Sequence, residues 1–388
     1  MLLRFIRFDD YTTRRARAVT DKAAPITDIW NMLNANLATI YKPTEKLTID
    51  EQLYPYRGRT KFTQYMPSKP AKYGIKVWWV CDAENGFPLK GIIYTGKIGN
   101  TRDVNQGERV VKELAIAYKG SGRNISMDRF FTTLPLAKFL LTWNLTVVGT
   151  LKKNKPYIPQ EMKASKTRGL LSTVFGFHEK VTMCSYVPKK NKAVILLSTM
   201  HDDDTISDAI HQKPEMILFY NKTKAGVDTM DQMCSRYTSQ RRTCRWPLAF
   251  FFNILDIGSL AAYLIYYENN KMIPKKTTQR KTFLLQLADE LAMPIIEDRS
   301  ANQQIMRHES SKIAINSFFA RPITAVQVPA DNNPRDTTGR KVVVGSCYIC
   351  SNQPIRKQRK TRKSCSQCQK PVCDEHTAKV TKCLECHQ

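Results

Sequence analysis

The stretch from Leu47 to Leu151 constrains this chain most, because its strands and helix run in an order that few folds accommodate. Leu47–Leu53 patterns as a strand, Tyr73–Cys81 is β-branched and aromatic, and Lys90–Gly96 returns as a second strand after a turn at Asp82–Gly86. Asn124–Met127 reads as a short strand and Leu145–Leu151 as another. Between them Leu134–Trp143 reads as a helix with Pro135 in its first turn. Strand, hairpin, strand, helix, strand predicts an α/β domain.

Carboxylates sit at telling points of that order. Asp50 falls in mid-strand, and Asp128 falls just past a strand end. Asp228 and Asp231 lie on a helix predicted from about Ala225, three apart and so on one face. The chain around them is basic, with 61 Lys and Arg against 34 Asp and Glu, a net charge of +27. Gathered carboxylates attract divalent cations, and basic surroundings attract a polyanion. Together they point to metal-dependent chemistry on nucleic acid phosphates. Asp is also common at caps and turns, so spacing alone leaves plain capping and surface roles open.

The remaining segments divide by pattern. Residues 1–46 read as helical, with Ile26, Ile29, Trp30, Leu33, Leu37 and Ile40 at helical spacing. Residues 152–221 carry apparent strands at Val174–Phe177, Lys180–Tyr186, Ala193–Thr199 and Met216–Tyr220, which predicts a β-rich insertion. The acidic helix spans 222–235, further helices, Gln279–Ala292 among them, fill 236–309, and the Pro- and Asn-containing 310–345 reads as a linker. Pro247–Tyr267 is long enough to span a bilayer, but Asn253 and Asp256 in its middle favour a buried helix. Neither a membrane nor a small-molecule substrate is expected. The opening Met1–Arg7 is too short and interrupted for a signal peptide.

Residues 346–388 are rich in cysteine, holding seven of the chain's 11. Four pairs follow one another: Cys347 and Cys350, Cys365 and Cys368, Cys373 and His376, Cys383 and Cys386. Two residues between ligands let one turn present both to a tetrahedral Zn²⁺. Eight ligands make two sites, and interleaved pairing would give Cys347, Cys350, Cys373 and His376 at one and Cys365, Cys368, Cys383 and Cys386 at the other. Between the first pairs, Arg356, Lys357, Arg359 and Lys360 belong to a basic run that suits a solvated loop, phosphate contact or nuclear import. Arg241, Arg242 and Arg245 form a second basic cluster after the acidic helix, suited to DNA backbone or to an exposed helix start.

Four long segments resemble the piggyBac transposase family: Leu47–Leu53 (LTIDEQL), Pro67–Lys76 (PSKPAKYGIK), Asp128–Ala137 (DRFFTTLPLA) and Tyr220–Met233 (YNKTKAGVDTMDQM). The resemblance implies an RNase H-like catalytic domain interrupted by an insertion, flanking dimerisation and DNA-binding helices, and a C-terminal cross-brace zinc domain. It implies that Asp50, Asp128 and Asp228 hold two Mg²⁺, with Asp231 in support, and that the cysteine tail holds two Zn²⁺. The implied activity is cut-and-paste movement of double-stranded DNA in the nucleus. Transposon ends are nicked, the freed 3′-OH forms a hairpin, and it later attacks target DNA at TTAA. A homodimer fits the same picture. Only 49 residues precede Asp50, fewer than in family transposases. The alternative is therefore a truncated or domesticated relative that binds DNA without moving it.

Overall fold

The computed structural model describes residues 3, 5–96, 104–208, 210–270, 279–320, 345–352, 360–361 and 371–376. The chain divides into two compact units, Met1–Leu291 and Ala292–Gln388.

The first unit opens with helices α1 (Tyr11–Arg17) and α2 (Ala24–Ile40). Asp10 caps α1 by accepting from the Thr12 N–H, and buried Asp9 is clamped by Arg14 and Arg17. Pro25 opens α2, which buries Ile26, Trp30 and Leu37 along the predicted apolar stripe. Strands β1 (Lys46–Pro55), β2 (Thr63–Tyr65), β3 (Tyr73–Asp82) and β4 (Pro88–Ile93) follow, then α3 (Gln106–Ala115), β5 (Asn124–Met127), α4 (Leu134–Thr142) and β6 (Thr146–Thr150). After these come β7 (Thr173–His178), β8 (Val181–Lys189), β9 (Lys192–Ser198), α5 (Glu215–Thr223), α6 (Gly226–Arg236), α7 (Trp246–Asn269) and α8 (Gln279–Ala301).

The strands form one mixed sheet in the order β2-β3-β1-β5-β6-β9-β8-β7, with β4 also paired to β3. β1, β5 and β6 run parallel, and β3 lies antiparallel to β1. β7, β8 and β9, the strands expected to make an insertion, continue this same sheet through the antiparallel β6–β9 pair.

Three expectations need correction. Met216–Tyr220 is not a strand but part of α5. Met216, Ile217 and Tyr220 are buried at helical spacing, so the apolar run that suggested a strand is a helix face. The linker expected over 310–345 is helical at its start, where Glu309–Phe319 forms helix α10, and 321–344 lies outside the described residues. The helix expected over Gln279–Ala292 continues through Pro294 to Ala301.

Aromatic rings join the sheet to the helices. Trp30 of α2 packs 5.3 Å from Trp79 of β3 and 5.3 Å from Phe250 of α7, centroid to centroid. α7 is apolar enough to cross a bilayer, yet 67% of its most apolar window is buried within the protein. The polar residues in its middle, Asn253 and Asp256, have partners there. Asp256 accepts from Thr238 Oγ1 at 2.6 Å and Ser239 N at 2.7 Å, and Asn253 exchanges hydrogen bonds with Gln52 of β1.

The second unit contains α9 (Gln303–Met306), α10, α11 (Tyr348–Ser351), and an antiparallel pair of β10 (Gly345–Ser346) and β11 (Lys360–Thr361).

Candidate active site

Strand register brings the first two acids together. In the parallel β1–β5 pair Ile49 lies opposite Met127, and there the pairing ends. The next residues, Asp50 in the middle of β1 and Asp128 just past the end of β5, therefore stand side by side, about 4.8 Å apart at the backbone. The Phe130 N–H donates to Asp128 Oδ1 at 2.7 Å and fixes its direction.

The third acid comes from α6, which lies against β1. Gly226 allows the close approach: a Cβ there would sit 2.8 Å from Thr48 Oγ1 and 3.0 Å from the Asp82 carbonyl. The Thr48 hydroxyl donates to Thr223 O at 2.5 Å and pins the end of α5 to the same strand. Thr48, Asp50 and Gln52 share a face of β1 by the two-residue period. Asp228 is thereby delivered in the first turn of α6, with its side chain 67% exposed.

Asp231 is held more firmly. Gln52 Nε2 donates to Asp231 Oδ1 at 2.8 Å, while Gln52 Oε1 accepts from Trp79 Nε1 at 3.1 Å.

The electrostatics show that these groups share one environment. Burial, reinforced by the adjacent Glu51 carboxyl, pushes Asp50 up to about 8. Burial raises Asp128 as well, against the N–H groups of Phe130 and Phe131, and it raises Asp231 against its Gln52 bond. Tyr220 of α5 is pushed up to about 12 by burial, with Asp128, Asp50 and Asp228 all adding to the effect. One phenol thus lies in the field of all three acids. Lys76 of β3 is lowered by burial, although Glu51, Asp50 and Asp128 favour its charge.

Lys69 bridges the cluster. Its ammonium donates to Glu51 O at 3.0 Å and lies 3.9 Å from Glu51 Oε1 and 3.7 Å from Asp228 Oδ1. A cation therefore already stands among these carboxylates. Oxygen-only donors with this charge fit Mg²⁺ or Mn²⁺. Glu51, Lys69, Lys76 and Tyr220 were not singled out from the sequence. All four lie inside the family-like segments, but their approach to the acids depends on strand pairing and on α5 being a helix.

The basic residues fall into three groups. Arg241 and Arg242 are exposed in the loop between α6 and α7. Arg245 instead donates to Leu3 O at 2.9 Å and Ile6 O at 2.8 Å, which ties down the N-terminal segment. Lys360 lies in β11, and Arg356, Lys357 and Arg359 lie outside the described residues.

In the second unit Cys347, Cys350, Cys373 and His376 converge, with their ligand atoms all within 4.8 Å of one another. Cys350 and Cys373 sulfurs are 3.8 Å apart. His376 Nδ1 lies 3.5, 3.4 and 3.3 Å from the three sulfurs. Tetrahedral Zn²⁺ with ordinary bond lengths requires edges of about 3.8 Å between sulfurs and about 3.6 Å from sulfur to nitrogen. The set matches, so this cluster could bind zinc. Burial opposes ionisation of Cys347, but the N–H groups of Cys350 and Cys373 and the His376 ring draw it down to about 6. Cys365, Cys368, Cys383 and Cys386 lie outside the described residues.

Comparison with known proteins agrees with this architecture. The profile of the Transposase IS4 family matches residues 1–263. A solved piggyBac transposase, determined as a synaptic complex with hairpin DNA, is 36% identical with a TM-score of 0.75. It covers 97% of this chain, which in turn spans 77% of it. Human PiggyBac transposable element-derived protein 3 is 24% identical over 272 residues, 61% of this chain. The human Chimeric ERCC6-PGBD3 protein is also 24% identical over 272 residues. This chain spans 43% and 24% of those two human proteins. The fold is that of the transposase class. The chain belongs to the Transposase IS4 family, on its piggyBac side.

Proposed function

We propose that this chain is a metal-dependent DNA strand-transfer enzyme of RNase H-like fold, acting by cut and paste at TTAA sites. The observation that carries the reading is Asp50 in the middle of β1 beside Asp128 just past the end of the parallel β5, with Asp228 of α6 acting on the same Tyr220. The sheet supports the RNase H-like assignment, since β4-β3-β1 antiparallel is followed by β5 and β6 parallel to β1.

In this reading Asp50, Asp128 and Asp228 would hold two Mg²⁺, which supply charge neutralisation at the scissile phosphate and activation of the attacking oxygen. Asp231, bonded to Gln52, orients α6 rather than binding first. Lys69 and Lys76 stand where a DNA backbone would approach the acids, and Arg241 and Arg242 would carry it past α7. Exposed basic groups of this kind bind phosphate without reading bases, which suits a substrate positioned by its backbone. Two Zn²⁺ would hold the cysteine tail as a cross-brace. A homodimer in the nucleus belongs to the same proposal.

The test is Asp128→Asn, which keeps size and removes a charged oxygen ligand. We expect weaker Mn²⁺ binding by calorimetry, loss of plasmid nicking and an unchanged melting temperature. Nicking at the unaltered rate by the variant would remove Asp128 from the reaction. Full metal binding without nicking by the unaltered chain would favour the alternative, a transposase-derived DNA-binding protein.

A further inference from the structure

A cavity of about 730 Å³ opens beside α6. Its lining from that helix is Thr229, Met233 and Arg236, roughly 80–160° around the helix from Asp228 and Asp231. The volume falls in the range of small-molecule sites, roughly 300–1,000 Å³. Four tyrosines line it, Tyr41, Tyr237, Tyr263 and Tyr267, together with Arg236 and Arg280.

Arg280 is the unusual member. It is only 7% exposed. Its Nη1 donates to Met233 O at 2.6 Å, but Nε and Nη2 are buried without a hydrogen-bond partner. The guanidinium carbon lies 5.4 Å from the Tyr237 ring centre and 5.9 Å from that of Tyr263. Asp256 favours its charge, yet the oxygens of Asp256 already accept from Thr238 and Ser239. Buried donors without acceptors are rare in folded proteins and call for a partner. Nε and Nη2 form the side-on edge of the guanidinium, the edge that grips two oxygens of one phosphate at once.

Glu84 and Glu268 also reach the wall. With both arginines charged, the lining is close to neutral. Its offer to an anion is therefore directional, through the Arg280 fork, rather than a diffuse positive field. The tyrosine rings offer apolar faces on which a flat base can stack.

We infer that this cavity is a nucleotide site, in which a shift of the Tyr237 ring that covers the guanidinium opens Nε–H and Nη2–H of Arg280 to a phosphate while the base lies against the tyrosine wall. The nucleotide comes either from a DNA strand or from solution. The site is separate from the acidic cluster and stands whether or not that cluster cuts DNA.

The experiment titrates the full chain by calorimetry with dAMP, with inorganic phosphate and with a short single-stranded oligonucleotide. Arg280→Met is measured alongside, with its melting temperature. We expect dAMP to saturate with a Kd on the order of 0.1 mM and phosphate to bind more weakly. Arg280→Met should weaken dAMP by about 10-fold or more, as loss of charged hydrogen bonds does. If Arg280→Met fails to fold, Arg280→Lys keeps the charge without the fork and should show the same loss. Saturation by dAMP with no Arg280 effect on the oligonucleotide identifies a free nucleotide. An Arg280 effect on the oligonucleotide alone identifies a DNA strand. Phosphate binding as tightly as dAMP, or Arg280 variants that leave every probe unchanged, would overturn the assignment.

Discussion

Gly226→Ala tests the seat of the acidic helix. The new Cβ would lie 2.8 Å from Thr48 Oγ1, 3.0 Å from Asp82 O and 3.1 Å from Thr48 Cβ. The Asp82 contact is backbone, and Thr48 is pinned by its bond to Thr223. Neither can turn aside, so α6 must retreat by about half an ångström to restore an ordinary carbon–oxygen contact. Overpacking of this kind costs about 1–3 kcal/mol. The better helix propensity of Ala offsets up to about 1 kcal/mol. The net loss of about 1–2 kcal/mol lowers the melting temperature by roughly 2–3 °C for a unit of this size. Asp228 rides two residues further along the same helix, and functional sites tolerate shifts of only about 0.5 Å. Mn²⁺ affinity should therefore fall by about 10-fold, or ~1.4 kcal/mol. Scanning calorimetry and Mn²⁺ titration measure the two effects. A variant equal to the parent in both would show that α6 does not press on β1. Lost stability with full metal affinity would remove Asp228 from the ligand set.

Lys69→Met should raise Mn²⁺ affinity, because the ammonium competes for Glu51 and Asp228. Its two contacts, one of them largely exposed, are worth about 1 kcal/mol each at most, so a gain up to ~30-fold is expected, and a loss of affinity would contradict it. Asp50 is raised from an ordinary 3.8 to about 8, so the metal-free fold is favoured while this carboxyl stays protonated and loses stability as pH rises between those values. Melting temperatures should fall over that window, and Asp50→Asn should flatten the slope. A fall of equal steepness in the variant would assign the effect elsewhere. Metal analysis should find about two zinc ions per chain, and Cys350→Ser should lose one. A single zinc in the unaltered chain would refute the cross-brace. Binding to duplex DNA should fall by roughly 0.9 log units per log unit of salt for each phosphate neutralised. That salt slope should be the same for TTAA-containing and scrambled duplexes, since such contacts carry little base information. A flat salt response would exclude Arg241 and Arg242 as phosphate contacts.

Much of the sheet was legible because its strands are marked by β-branched and aromatic runs between turn residues. β5 falls at the expected Asn124–Met127, and β3 extends the expected Tyr73–Cys81 by one residue. α5 was misread because Met216–Tyr220 is short and apolar, a pattern strand and helix share, and its burial is decided by packing on the sheet. α3 left little mark, as its buried Val110, Val111 and Leu114 are diluted by charged neighbours. The acids were visible as residue types. Their convergence follows from the β1–β5 register and from Gly226, neither of which periodicity reveals. Lys69 and Tyr220 come to the acids from a loop before β3 and from α5, partners that exist only once the chain is folded.

Because Asp50 and Asp128 hang from adjoining strands, the hydrogen-bonded backbone acts as a ruler for their separation. That ruler, about 4.8 Å, is the same in every parallel pair, whatever side chains cover the sheet. The helices and loops around it can diverge widely without altering the spacing. The acids themselves have no such latitude. Replacing either Asp by Glu keeps the charge but pushes its oxygens beyond the mark by one carbon–carbon bond, and strand pairing forbids the backbone to slide back. A scaffold built this way forgives drift nearly everywhere and is strict about one methylene group at two positions.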